Sequence, residues 1–173
     1  MPYRRRYYWP EFQLSIWIIL SLAASATCLG VFAWFLTVQS QMGLGTPWIM
    51  PFMVTTGSLG VCFIIFIQIL AAQRSLLPGV IMTGSFILFV LWLTGLIDTA
   101  IQLFSTSGNI NANCQTYVVQ NESRGNSLAT LAWLTQNTIC NCWKASFAWE
   151  LVNVILYLWL MIMCYQVNID FFT

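Results

Sequence analysis

Histidine is absent from these 173 residues, and charged side chains make up only 6% of them. The first absence removes the usual general acid and base at neutral pH and the commonest metal ligand, which argues against zinc and serine–histidine chemistry. The second absence sets the solvent. An ordinary soluble domain is about a quarter charged, whereas this chain is 59% hydrophobic. Folded in water, it would display large apolar patches of the kind that drive association; lipid is the medium such a surface requires. The net charge is +1 and the one basic run is Arg4-Arg5-Arg6, so no field recruits nucleic acid, which is not an expected partner.

Four apolar runs are each long enough to cross a hydrocarbon core, which takes about 20 helical residues. They fall near 13–38, 49–72, 79–104 and 144–167. Backbone amides in lipid must bond within their own segment, and runs this long and continuous are not barrel strands. The expected fold is an all-α four-transmembrane-helix bundle forming a single domain over 1–173. The first run imitates a signal peptide, with Arg4–Arg6, an apolar stretch from Leu14 and the small triplet Ala24-Ser25-Ala26. Its apolar character continues through Phe32 and Trp34 to Val38, so it reads as a retained span.

Lysine and arginine in short loops favour the cytoplasmic side. Arg4, Arg5, Arg6 and Arg74 fall on one face, against Arg124 and Lys144 on the other, which places both ends of the chain in the cytoplasm. The outer face then holds a short loop from Gln39 to Trp48 and a long one over 105–142. The long loop carries a glycosylation acceptor at Asn121, in Asn121-Glu122-Ser123, and three cysteines. In an oxidising compartment Cys114 is expected to bridge to Cys140 or Cys142, closing a loop of about 26 residues.

Asp98 and Glu150 are acids inside spans, where a charge costs at least about 2.5–3.5 kcal/mol. Each lies about 9 Å below the outer end of its expected span, so they can meet inside the bundle. As a pair they suit a proton or a hard cation; as isolated groups they are polar anchors, neutral or paired with Lys144, which snorkels toward the headgroups. Lys144 and Glu150 do not share a helix face, being about 240° apart. Ala26-xxx-Gly30 and Thr56-xxx-Gly60 let helix backbones approach closely and read as packing faces within the bundle. Trp9, Trp48, Trp133 and Trp143 fall where spans meet water, as an aromatic belt would.

The four-span plan, the segment Leu91-Trp92-Leu93-Thr94-Gly95-Leu96, and above all Cys140-Asn141-Cys142-Trp143-Lys144-Ala145-Ser146-Phe147-Ala148-Trp149 resemble the MARVEL-domain membrane proteins of the fungal branch. Claudins and tetraspanins place their cysteine motifs elsewhere. The resemblance implies a multi-pass protein of the plasma membrane or of endomembrane vesicles that organises lateral domains or accompanies larger membrane proteins. No motif sets a nucleophile beside a base, so the expected function is non-enzymatic: a membrane organiser or accessory subunit needing no cofactor or metal. Its expected partners are membrane lipids and integral membrane proteins or further copies of itself. The alternative is a small proton or cation transporter or channel using Asp98 and Glu150; beyond Gln68, Thr94 and Gln102, polar residues thin out toward the inner leaflet, where a path would have to continue.

Overall fold

A computed structural model describes residues 9–41, 43, 45–73, 76–105, 109–120 and 128–172. Arg4, Arg5, Arg6, Arg74 and Arg124, and the Asn121 sequon, lie outside the described residues.

Helix boundaries follow the punctuation of the sequence. Helix α1 (Glu11–Gln41) starts on the Pro10 carbonyl, which accepts from Leu14 N at 3.0 Å. It ends before a turn in which Gly43 adopts φ +66°, a conformation that costs glycine little. Helix α2 (Ile49–Ala72) carries Pro51 in its first turn, where a missing N–H is harmless. Helix α3 (Pro78–Phe104) has its proline at the first helical position. The short connections over 42–48 and 73–77 leave neighbours antiparallel.

A short helix α4 (Ile110–Cys114) follows, capped by the Asn109 side chain accepting from Ala112 N, and continues as a π-helical turn over Gln115–Val119. Helix α5 (Leu128–Phe172) then runs unbroken for 45 residues, about 67 Å. The loop expected over 105–142 is therefore mostly helical, and the last helix begins at Leu128 rather than near 144. The reason lies in its composition. Thr135, Gln136, Asn137 and Asn141 break the apolar run without breaking the helix, since 128–172 contains neither proline nor glycine.

Four of these helices (α1, α2, α3 and α5) are long and apolar enough to cross a membrane. They form a closed ring in which α1 packs on α2, α2 on α3, α3 on α5 and α5 on α1. The start of α1 lies beside the end of α5, where Trp17 Nε1 donates to the Leu156 carbonyl at 2.7 Å; this is the terminal end of the bundle. The other is the cap end, where α4 rests on α5. Gly57 lets α1 and α2 close up: a Cβ there would lie 3.1 Å from Leu29 Cβ and 3.4 Å from the Ser25 carbonyl oxygen.

The Cys114–Cys140 disulfide ties the cap to α5 and leaves Cys142 free. Trp133 Nε1 adds a 2.7 Å bond to the Val118 carbonyl. Cys114→Ser is expected to remove up to about 3–4 kcal/mol of stability on the chain-entropy account. Alkylation and thermal unfolding in detergent check this: Cys140 should become reactive with maleimide while the helical signal of the four spans persists.

Candidate functional site

On α5 the residues Trp143, Ser146, Glu150, Asn153, Tyr157, Leu160 and Cys164 are buried. Their alternating spacing of three and four places them on one stripe facing the bundle axis. The matching stripe on α1 carries Trp17, Ser21, Ser25, Cys28 and Phe32, and that on α3 carries Ser85, Trp92, Gly95 and Thr99. Polar side chains thus occupy successive core positions on α5 and recur on α1, and on α3 Ser85 and Thr99 flank Leu88, Trp92 and Gly95, in a molecule surrounded by apolar surface.

The layers align through named contacts. Cys28 Sγ donates to the Ser146 carbonyl at 3.9 Å, and Thr99 Oγ1 donates to Glu150 Oε1 at 3.2 Å. Because α1 and α5 are antiparallel, Ser25, one turn before Cys28, comes level with Glu150, one turn after Ser146. Ser25 is near the middle of α1, so Glu150 sits far deeper than a count from Lys144 suggests. The start of the fourth span is not the start of its helix. Gly60, at the middle of α2, completes the layer: a Cβ there would be 3.1 Å from Ser25 Oγ and 3.3 Å from the Tyr157 hydroxyl.

The two acids adjoin but are not equivalent. Glu150 is fully buried, whereas Asp98, adjacent to Thr99 on α3, is only partly so. Their carboxyl groups are close enough to interact electrostatically. Lys144, the one basic residue among the described residues, is exposed and forms no ion pair with either acid; of the two alternatives for the acids, pairing with Lys144 is the one not seen, in keeping with its separation of about 240° from Glu150 around α5.

Many core polar atoms have no hydrogen-bond partner. They are the Oγ atoms of Ser21 and Ser146, Glu150 Oε2 and both amide atoms of Asn153, with Asp98 Oδ2 at their edge; the Tyr157 hydroxyl lies beside Ser25 and Trp92, whose polar groups adjoin it. Buried polar atoms in native proteins are nearly always satisfied, and lipid offers no substitute. The sequence reading singled out Glu150 and Asp98 but missed this file, which the spacing of Ser146, Glu150, Asn153 and Tyr157 already encodes.

Apolar layers bound the file. Toward the cap, Trp143 stacks on Phe35 with ring centroids 5.3 Å apart and meets Phe32 edge-on at 6.0 Å. This corrects the reading of Trp143 as a belt residue; Trp9, also buried, instead donates through Nε1 to the Leu76 carbonyl. Beyond the plug lies a cavity of about 340 Å³ lined by Phe35, Gln39, Met50, Gln102, Ile139 and Trp143 among others. Toward the terminal end, Ile64, Ile67, Leu88 and Leu160 are buried.

The two small-residue motifs have opposite fates. Thr56 and Gly60 are buried between helices, but Ala26 and Gly30 are exposed, and a Cβ on Gly30 would meet nothing within 4 Å. The expectation that Ala26 and Gly30 pack inside the bundle is corrected: Ser21, Ser25, Cys28 and Phe32 take the inner face of α1 and rotate that pair outward. Among the described residues, no group of three or more cysteine, aspartate or glutamate side chains converges on a metal position.

No protein-family model, curated protein or solved structure matches the chain, so the chemistry of the site has to carry its interpretation. Thr99→Val removes the hydroxyl at nearly constant volume and is expected to cost about 1–3 kcal/mol by leaving Glu150 Oε1 unpaired. The cost should shrink in a Glu150→Leu background; a double-mutant cycle in unfolding free energy checks this, and strict additivity would contradict the bond.

Proposed function

We propose that this chain is a non-enzymatic membrane organiser or accessory subunit that binds a larger integral membrane protein, or further copies of itself, through α1. The observation that carries the reading is the outward-facing run of small residues. Ala23, Ala26 and Gly30 are exposed at mid-helix, with Ala33 half-exposed and Thr37 exposed above them. The lipid-facing sides of α3 and α5 present bulky groups instead, including Phe86, Ile87, Ile97, Ile101, Ile155 and Ile162. Between helices in lipid, association rests on close backbone approach and van der Waals packing, which a small-residue face permits and a bulky face does not.

The likeness to MARVEL-domain proteins supports the same reading, and with it a plasma-membrane or endomembrane location. The balance of arginines and lysines supports cytoplasmic ends with α4 on the outer side. A through-path for ions finds less support: the polar file is flanked by the Phe32–Phe35–Trp143 plug and by Ile64, Ile67 and Leu160.

Purification of the tagged chain in mild detergent, followed by native sizing and mass spectrometry, tests the proposal. Wild type should co-migrate with a larger membrane protein or as a defined oligomer. Gly30→Leu should lose that association while its unfolding free energy stays within about 0.5 kcal/mol of wild type, as expected for a surface substitution. A folded Gly30→Leu protein that keeps its full complement of partner would overturn the assignment of α1. The orientation has its own check: wild type should shift in mobility on glycosidase treatment, and Asn121→Gln should not.

A further inference from the structure

We propose that the bundle interior holds an occluded monovalent-cation site at Glu150, with oxygens supplied by Ser25, Thr99, Asn153 and Tyr157. This site is independent of the docking face on α1.

The first argument is charge. Glu150 is 0% exposed, with a single hydrogen bond from Thr99. An isolated carboxylate inside a lipid-embedded bundle is costly unless a positive charge meets it. Lys144 points elsewhere. The groups that face the carboxyl electrostatically are Asp98 on α3 and Cys28 on α1, neither of which is cationic. The carboxyl is therefore met either by its own proton or by one added positive charge, and one is all that a single buried carboxylate accepts. A divalent ion would overcompensate, and it lacks the carboxylates such ions gather.

The second argument is the orphaned oxygens. Glu150 Oε2 and Asn153 Oδ1 are without partners, and the Ser25 and Tyr157 hydroxyls lie side by side close by, in residues that are all fully buried. Asn153 lies one turn from both Glu150 and Tyr157 on the same stripe, and Ser25 lies level with Glu150 across the core. A proton would satisfy Glu150 alone. A small hard cation collects carboxylate, amide and hydroxyl oxygens together.

The third argument is enclosure. A Cβ on Gly60 would sit 3.1 Å from Ser25 Oγ and 3.3 Å from the Tyr157 hydroxyl, so α2 packs closely against the layer and seals that side of it. With aromatic and aliphatic layers on either side, an ion held there is bound rather than conducted.

The test uses the purified full chain in detergent at pH 8, with N-methylglucamine chloride replaced stepwise by NaCl at constant ionic strength, and melting followed by near-UV circular dichroism. The melting temperature should rise saturably, by about 5–10 °C at a hundredfold excess over half-saturation. LiCl and KCl should give different half-saturation points. Glu150→Gln should abolish the response, Asn153→Ala and Tyr157→Phe should move half-saturation at least about tenfold upward, and Lys144→Gln should leave it unchanged. If Glu150→Gln does not fold, the Asn153 and Tyr157 variants decide. Equal melting in sodium and N-methylglucamine, with a response to pH alone, would overturn the proposal in favour of a proton. A sodium response unchanged in Asn153→Ala and Tyr157→Phe would overturn it as well.

Discussion

The hydrogen bond from Thr99 to Glu150 fixes the height of α3 against α5, and the other core layers follow from that match. With these two residues level, Trp92 falls opposite Tyr157 and Ser85 opposite Cys164, because antiparallel helices advance past one another by the same 1.5 Å per residue. Helix α1 joins through Cys28 and the Ser146 carbonyl, and α2 through the glycines that let it close on Ser25. In lipid no hydrophobic force presses helices together. Register is instead a matter of steric fit and of which polar groups find one another, so one buried carboxyl has a disproportionate hold on the arrangement.

Much of the fold is legible in the sequence. The bounds of α2 and α3 can be read almost to the residue because Gly43, Pro47, Gln73 and Pro78 interrupt otherwise featureless apolar runs. The first third of α5 is not, because polarity and helix formation are separate properties. A stretch such as Thr135-Gln136-Asn137 lowers hydropathy as a loop would, yet contains nothing that stops a helix. What hydropathy registers is a change of solvent, which occurs part-way along α5.

The site is legible in a different proportion. The chemistry of Glu150 and Asp98 is plain from their rarity in spans, but which faces the core depends on rotation about the helix. Ala26-Gly30 and Thr56-Gly60 make the same point: identical spacing, opposite directions. Spacing alone reports that a backbone can be approached, not from which side. The rotation of α1 is set by the whole stripe Trp17, Ser21, Ser25, Cys28 and Phe32, and a reader who weighs the stripe before the motif obtains the correct face. The polar file on α5 follows from the same habit.

The unbroken course of α5 has a mechanical consequence. The cap-side third of the helix is clamped to α4 by the disulfide at Cys140, with no glycine, proline or turn between Leu128 and Phe172 to act as a joint. A helix of that length behaves as a stiff lever crossing the bilayer, with the Glu150 layer near its fulcrum. A sideways displacement imposed on the cap is delivered to the far end of α5 in the opposite direction, and a twist with the same sense, so the two sides of the membrane share a single rigid coordinate.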